Sequence, residues 1–177
     1  MKNIPEADIA VIGGSGTFAA DFPRSAASPE VEIFAQDLVF STPYGLSPPF
    51  SHFSLGPGKR VLACRMHGWR PGTSRRIASQ QIFWSFARAG IGRVLAEGGV
   101  GTIRTDYLPG DLFVPLDYID WSCRRDTSLS DDYLLIMRDP LCHALLATAR
   151  SHLPPARVHD RGYTPSPTVA TSKVARK

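Results

Sequence analysis

A chain of 177 residues that is 43% hydrophobic and 20% charged can bury a substantial core, so its composition excludes a protein that is disordered throughout. The net charge of +4 comes from the end of the chain, because residues 1–160 hold 16 basic and 16 acidic residues, whereas residues 161–177 hold four basic residues and no acidic one. Without a basic stripe over its body, the chain is not expected to bind nucleic acid.

The sequence gives no sign of a membrane protein or of a disulfide framework. No apolar run approaches the ~20 residues of a membrane span, and the N-terminus lacks the pattern of a signal peptide. The three cysteines, Cys64, Cys123 and Cys142, lack CxxC spacing, and this odd number predicts reduced thiols. The pairs Cys64 with His67 and Cys142 with His143 lack a second ligand pair at zinc spacing, so core or surface positions are expected. We therefore expect a cytoplasmic protein with no membrane partner and no metal.

Hydrophobic runs and turn residues predict a mixed α/β arrangement. The predicted elements, in chain order, are a buried strand at 8–12, a short helix or loop through Ala20, an antiparallel section from Val31 to Phe40, a turn at 41–45, a strand at 60–64, a helix capped by Thr73 or Ser74 and stopped by Gly90, and strands at 93–96, at 112–115 and from 157 onward. No element is predicted in residues 47–58, which are rich in Pro, Ser and Gly, and an irregular polar stretch is expected at 120–132. Most aromatic residues of the helix after Ser74 are expected to be in the core.

The C-terminal part is expected to be incomplete. Asp139-Pro140 predicts a cap and first-turn proline for a helix that ends at Pro154-Pro155. From Gly162 onward neither strand nor helix periodicity is visible, so residues 1–161 are predicted to form one α/β domain and residues 162–177 a disordered polar, basic tail. A sheet whose last strand starts at 157 leaves an edge or face uncovered, which predicts missing sequence or a partner surface.

Two similar glycine turns are the most informative motifs. Residues 9–17 (IAVIGGSGT) and 94–102 (VLAEGGVGT) each place a glycine-rich turn after an apolar strand. Glycine can turn through positive φ and aim successive N–H groups at an oxyanion, and Ser15 or Thr17 can add a hydroxyl. If the two strands are neighbours, both turns contribute to one anion pocket. Phosphate is the expected ligand of this pocket.

Arg65 and His67 follow the buried strand at 60–64 and stand two positions apart. In extended backbone such residues point to the same side, so they can present a guanidinium and an imidazole to phosphate. The alternative is a surface arginine and a hydrogen-bonded loop histidine. Glu97 precedes Gly98-Gly99 and would repel a phosphate held there, so it is expected either to orient Arg65 or to face away.

The first turn also fits the loose dinucleotide-binding fingerprint, because Gly14–Ala19 reads GxGxxA. That site needs a second parallel strand that ends in an acidic residue about 20 positions further on. Glu32 and Asp37 fall near this window, but Pro23 and Pro29 leave little room for a crossover helix. A dinucleotide-binding domain therefore stays as an alternative, and structural glycines with no ligand are another.

Together with these turns, the order and spacing of further motifs resemble the 5′-methylthioadenosine phosphorylase branch of the purine nucleoside phosphorylase family. The motifs that carry the resemblance are AVIGGSG at 10–16, STPYG at 41–45, RMHG at 65–68, EGGVGT at 97–102 and PGDL at 109–112. The resemblance covers residues 8–162 and implies the N-terminal part of a mixed-sheet, phosphorylase/hydrolase-like α/β fold that is truncated or divergent, and so incomplete, at its C-terminus.

The resemblance implies a pentosyltransferase of purine salvage. In this family phosphate attacks C1′ of a purine nucleoside, such as 5′-methylthioadenosine, and releases the base and a ribose 1-phosphate. It implies inorganic phosphate as co-substrate, no cofactor, and a homo-oligomer, either a trimer or a hexamer. The phosphate-binding residues that it implies are Ser15, Arg65, His67, Gly98 and Gly99.

Three departures from the family pattern limit this transfer. Met66 separates Arg65 from His67, which are usually adjacent, and Gly98 stands where a hydroxyl residue is common. The family's acid on the purine side belongs to sequence that follows Gly162 in the family and is absent here, so no catalytic residue is predicted. A non-catalytic remnant that keeps the fold and the oligomer surface is the main alternative.

Overall fold

The computed structural model describes residues 3–26, 28–65, 71–101, 105–119, 139–154, 158–159 and 163–165. The chain divides into two compact units, Met1–Val100 and Gly101–Lys177. The elements of the first unit are β1 (Ile9–Gly13), α1 (Ser15–Ala19), β2 (Val31–Leu38), β3 (Ser41–Thr42), β4 (Gly45–Leu46), β5 (Phe50–Leu55), β6 (Arg60–Arg65), α2 (Arg75–Arg88) and β7 (Val94–Ala96). Within the described ranges, no helix has both the length and the apolar character that a bilayer crossing requires.

A five-stranded mixed sheet in the order β2-β5-β6-β1-β7 forms the first unit. Strand β1 pairs in parallel with both β6 and β7, while β5 pairs antiparallel with β6 and with β2. The predicted strands at 8–12, 60–64 and 93–96 are confirmed as β1, β6 and β7. Because these three strands are parallel, their carboxyl ends lie at one edge of the sheet.

This topology contradicts the dinucleotide alternative. A dinucleotide site needs a parallel strand with an acidic end beside β1. Glu32 and Asp37 instead lie on β2, which is an outer strand of the sheet and pairs antiparallel with β5. The antiparallel section predicted from Val31 onward is thereby confirmed.

Strand β5 is the one strand of the five-stranded sheet that the sequence did not predict. Its Phe50 and Phe53 are 1% and 0% exposed, and the strand pairs with β6 on one side and β2 on the other. Gly56 and Gly58 have positive φ, 63° and 83°, in the tight connection to β6. Prolines before the strand, serines within it and these glycines after it gave the whole segment a loop-like composition.

Helix α2 covers one face of the sheet. The hydroxyl of Ser74 accepts a hydrogen bond from the N–H of Ile77 at 3.2 Å, and Gly90, with φ of 78°, follows the last turn, so both predicted ends are confirmed. Phe86 is 2% exposed and packs edge-on against Phe50 of β5, with their ring centroids 5.8 Å apart. Phe83, however, is 40% exposed, and Trp84 is only partly buried. The expectation that most aromatic residues of this helix are in the core is therefore wrong.

The opposite face of the sheet has a smaller apolar cluster. Phe53, Val61 and Ala63 are buried there, and Phe22 packs edge-on against Phe53 with 5.5 Å between the ring centroids. Cys64 points to the α2 side, where it belongs to the larger core cluster. Burial raises the pKa of the Cys64 thiol to about 12, so this cysteine is a core residue, as predicted, and not a nucleophile.

The described residues of the second unit form short paired strands and one helix. Its elements are β8 (Leu112–Phe113), β9 (Asp117–Ile119), α3 (His143–His152), β10 (Val158–His159) and β11 (Tyr163–Pro165). Strand β10, which was predicted from residue 157, pairs in parallel with β8, and β11 pairs in parallel with β9. Strand β11 lies inside the segment that was predicted to be a tail. Residues 166–177 and the polar stretch predicted at 120–132 lie outside the described residues.

The start of α3 differs from the prediction. Cys142 precedes the first turn without a capping hydrogen bond from its side chain, and Asp139 has a positive φ of 31°. Asp139 therefore does not act as the N-cap, and Pro140 does not occupy the first turn, because the helix begins at His143. His143 Nε2 at the start of the helix lies 3.7 Å from Oδ1 of Asp139 in the preceding bend.

Candidate functional site

The two glycine turns lie against each other. A Cβ added at Gly14 would lie 2.7 Å from the carbonyl oxygen of Glu97 and 3.0 Å from Cα of Gly98, so no larger residue fits at Gly14 without moving main chain. A Cβ added at Gly99 would overlap the hydroxyl of Ser15. The parallel pairing of β1 with β7 produces this contact, as the sequence predicted for turns at the ends of neighbouring strands.

The physical reason for glycine differs from the expected one. Gly13, Gly14, Gly16, Gly98 and Gly99 all have φ outside the left-handed region. The first turn instead requires residues without a side chain, because Cβ atoms at its glycines would meet Thr17 or Glu97. Close approach, and not backbone handedness, selects glycine in this turn.

Glu97 occupies the N–H groups of the first turn. Its Oε2 accepts a hydrogen bond from the N–H of Gly14 at 2.7 Å and one from the N–H of Thr17 at 3.3 Å, and its Oε1 accepts one from the N–H of Gly16 at 3.3 Å. The Thr17 hydroxyl lies 3.1 Å from Oε2 and 3.1 Å from the carbonyl oxygen of Gly14. The first turn therefore binds a carboxylate of the same chain through these groups, whereas phosphate was the oxyanion expected between the two turns.

These hydrogen bonds set the ionisation of Glu97. Desolvation by burial raises its pKa, but hydrogen bonds from the backbone of Gly14, Thr17 and Gly16 and from the Thr17 hydroxyl favour the charged form, and the net pKa lies below its usual value. The side chain is thus a carboxylate at neutral pH. Neither expectation for Glu97, that it orients Arg65 or that it faces away, describes this position.

Arg65 ends β6 and pairs in register with Gly13 of β1. Its Nη2 donates to Oδ1 of Asp21 at 3.2 Å and to the carbonyl oxygen of Phe22 at 3.2 Å. The guanidinium therefore extends toward the segment that follows α1. Asp21 has a positive φ of 49°, and nothing in the sequence singled it out as a partner of Arg65.

A cleft of about 280 Å³ opens beside Arg65 in the first unit. Its polar lining includes Thr17, Asp21, Gln36 and Arg65. The volume is slightly below the range of about 300–1,000 Å³ that is usual for small-molecule pockets. Ser15 and the second glycine turn do not line this cleft.

The predicted phosphate residues are thus only partly brought together. Ser15, Gly98 and Gly99 meet at the contact between the turns, whereas Arg65 lies with Asp21 in the cleft. His67 lies outside the described residues. Across the described ranges, His, Cys, Asp and Glu side chains do not gather in threes that could hold a metal ion.

The structure resembles a Schistosoma mansoni adenosine/methylthioadenosine phosphorylase crystallised with adenine, with a TM-score of 0.66 and 18% identity over 96% of this chain and 66% of that chain. A second structure of this Schistosoma mansoni enzyme, with methylthioadenosine, gives a TM-score of 0.65 at 17% identity and covers 96% and 67% of the two chains. The chain therefore has the mixed-sheet α/β fold of these phosphorylases, and the predicted fold class is confirmed.

The sequence comparisons give the family. The profile of the Phosphorylase superfamily matches residues 8–172, so the chain belongs to that superfamily. An S-methyl-5′-thioadenosine phosphorylase of Hyperthermus butylicus is 34% identical over 89% of this chain and 56% of its own length. A purine nucleoside phosphorylase of Streptomyces coelicolor is 32% identical over 74% of this chain and 43% of its own length. The chain spans about half the length of the curated relatives that it matches.

Proposed function

We propose that this chain takes part in the phosphorolysis of 5′-methylthioadenosine or a related purine nucleoside, as a pentosyltransferase of purine salvage with inorganic phosphate as co-substrate and no cofactor. The names of its relatives support the reaction, and the contact between the two glycine turns supports the phosphate site. That contact places the Ser15 hydroxyl beside Gly99 at the carboxyl edge of parallel strands, where α/β sheets bind ligands.

The reaction assigns a clear task to such a site. A phosphate oxygen forms a bond to C1′ while the bond from C1′ to the purine nitrogen breaks, and positive charge builds on the sugar before the base leaves. A phosphate dianion held next to C1′ both stabilises that charge and acts as the nucleophile. The departing base needs a proton donor, and we assign no residue of this chain to that role.

We assign phosphate contacts to Ser15, Gly98 and Gly99 at the joined turns and to Arg65 and His67 after β6. In its present geometry the guanidinium of Arg65 is paired with Asp21, so it would exchange this carboxylate for phosphate when the anion binds. An Arg–phosphate pair is a strong charge-assisted interaction, whereas Arg65 and Asp21 are 39% and 60% exposed and their pair is correspondingly weak. The exchange is therefore energetically reasonable.

The test is phosphate-dependent release of adenine from 5′-methylthioadenosine. The wild-type chain should release adenine only with phosphate, and Ser15→Ala should lower the rate by about tenfold or more, because a hydrogen bond to a charged group contributes about 1.5–3 kcal/mol. Ser25→Ala, which removes an exposed hydroxyl, should leave the rate unchanged. Equal rates in all three proteins would refute the site, while phosphate binding without adenine release would favour the non-catalytic alternative.

We also propose a cytoplasmic homo-oligomer, a trimer or a hexamer. The support for self-association is a set of exposed apolar side chains in the first unit, on β2 and around the β3–β4 hairpin: Ile33, Phe34, Val39, Tyr44 and Leu46. Light scattering on the purified chain should give a mass of three or six copies. A monomer at micromolar concentration would contradict this proposal.

A further inference from the structure

We propose that Glu97 is a positioning residue that fastens the first glycine turn to the second and so presents the Ser15 hydroxyl beside Gly99. The inference rests on the proposed phosphate site, because the purpose of the fastening is to hold the Ser15 hydroxyl in place for phosphate. The inference gives a positioning role to Glu97, whose negative charge alone would oppose phosphate binding.

Several hydrogen bonds converge on the Glu97 side chain. Both carboxylate oxygens are used, and they accept from the N–H groups of Gly14, Gly16 and Thr17. The main chain adds a further link, since the N–H of Glu97 donates to the carbonyl oxygen of Ile12 at 2.9 Å. Residue 97 therefore ties the end of β1 to the end of β7 through both its backbone and its side chain.

These hydrogen bonds do not include Ser15. Ser15 is the one residue between Gly14 and Thr17 whose N–H does not donate to Glu97. Among the described residues, its hydroxyl has no hydrogen-bond partner and lies against Gly99. The carboxylate thus accepts hydrogen bonds from three N–H groups of the turn but none from Ser15, and the Ser15 hydroxyl faces the second turn.

The first turn fits closely around the Glu97 carboxylate. A Cβ added at Gly16 would lie 3.0 Å from Oε1 of Glu97, and one at Gly14 would lie 3.2 Å from Oε2. The glycines therefore allow the side chain to approach the backbone closely. The N–H groups also compensate its negative charge, which reduces the repulsion that a phosphate at the neighbouring Ser15 would meet.

A competing account makes the opposite prediction. If the carboxylate occupied the place of phosphate itself, the two anions would exclude each other, and removing the carboxylate would improve phosphate binding. If Glu97 positions the turns, removing it frees the first turn and weakens phosphate binding. The sign of the change in affinity for inorganic phosphate separates the two accounts.

The experiment is calorimetric titration with inorganic phosphate of the wild-type chain, Glu97→Ala, Glu97→Gln and a control, Glu32→Gln, which changes an exposed carboxylate on β2. We expect Glu97→Ala to weaken binding roughly tenfold, because several hydrogen bonds to a charged group are lost together. Glu97→Gln keeps the reach and one acceptor oxygen, so it should recover part of the affinity. The control should bind like the wild type. Equal or tighter binding by Glu97→Ala would overturn the proposal.

Hydrogen exchange separates this proposal from the proposed function. In phosphate-free buffer, the amides of Gly16 and Thr17 should exchange faster in Glu97→Ala than in Glu32→Gln, provided that both variants melt cooperatively. Equal exchange rates in the two variants would overturn the proposal that Glu97 fastens the turns, but not the proposed phosphate site. If the wild-type chain binds no phosphate, the proposed function fails, and with it the purpose assigned to Glu97, whatever the exchange rates show.

Discussion

The two glycine turns look alike in sequence but differ in structure. In the first turn, Gly13, Gly14 and Gly16 are all packed closely against Thr17 or Glu97. In the second turn, Cβ atoms added at Gly98 and Gly101 would meet nothing within 4 Å, and only Gly99 is closely approached, by Ser15. The first turn therefore packs closely around the Glu97 carboxylate, whereas the second turn has open space at Gly98 and Gly101.

This difference shows that a glycine pattern does not by itself identify an anion site. Both turns follow a strand of the same sheet. In the first turn the Glu97 side chain accepts hydrogen bonds from three backbone N–H groups, whereas Cβ atoms added at Gly98 and Gly101 of the second turn would enter open space. The predictions that follow test this division of roles, from the largest expected effect to the smallest.

The largest effect is expected for Gly14→Ala. Its new Cβ would press on the carbonyl oxygen of Glu97, a main-chain atom that cannot rotate away. Overpacking of this kind costs about 1–3 kcal/mol of unfolding free energy, measured by denaturant titration. Gly98→Ala is the matched control, because its Cβ enters open space and should change stability by less than about 0.5 kcal/mol. Equal stability of the two variants would remove the contrast between the turns.

A pH-dependent effect is expected from the hydrogen bonds to Glu97. Because the pKa of this group is lowered from 4.5 in the folded chain, its stabilisation is present above about pH 4.5 and is lost as pH falls through the folded pKa. The difference in unfolding free energy between the wild type and Glu97→Gln should therefore be constant near neutral pH and shrink below about pH 4.5.

Asp8 provides the internal control for this measurement. Its pKa is also lowered, chiefly by the hydrogen bond from the backbone N–H of Arg60, but it is present in both proteins and cancels in the difference. A stability difference that stays the same from pH 7 to pH 3 would contradict the role given to the carboxylate of Glu97.

The smallest effect is expected for Asp21→Asn. The pair of Arg65 and Asp21 is 39% and 60% exposed, and exposed ion pairs contribute only about 0.2–1 kcal/mol. Stability should fall by less than about 1 kcal/mol in thermal melts. Phosphate affinity should rise, because Arg65 no longer has to leave a carboxylate. Weaker phosphate binding in this variant would refute the proposed exchange.

Much of the sheet could be predicted from the sequence because local signals were strong. Uninterrupted apolar runs indicated β1 and β6, and Ser74 with Gly90 marked the ends of α2. Strand β5 was missed because its flanking prolines and glycines and its own serines suggest a loop. Its strand character depends on Phe50 and Phe53 packing on opposite faces of the sheet. Pairing with strands on both sides overrides its composition.

The candidate site was less predictable than the fold. The sequence indicated that the two turns meet and that an oxyanion binds to the first one. It could not indicate that the oxyanion is Glu97, because that contact joins residues 80–83 positions apart and depends on where β7 places the side chain. The same limit applies to Arg65, whose partner Asp21 stands at a backbone bend after α1.

The central claim, that phosphate binds where Ser15 meets the second turn, is tested most directly by thermal melts in increasing phosphate of Gly99→Ala and of a control, Gly92→Ala, whose Cβ enters open space outside the assigned site. Phosphate at about 100 times its Kd should stabilise the wild type and Gly92→Ala by about 2.7 kcal/mol. Gly99→Ala should lose most of this gain, because its Cβ displaces the Ser15 hydroxyl. Equal gains in both variants, or no gain in the wild type, would contradict the claim.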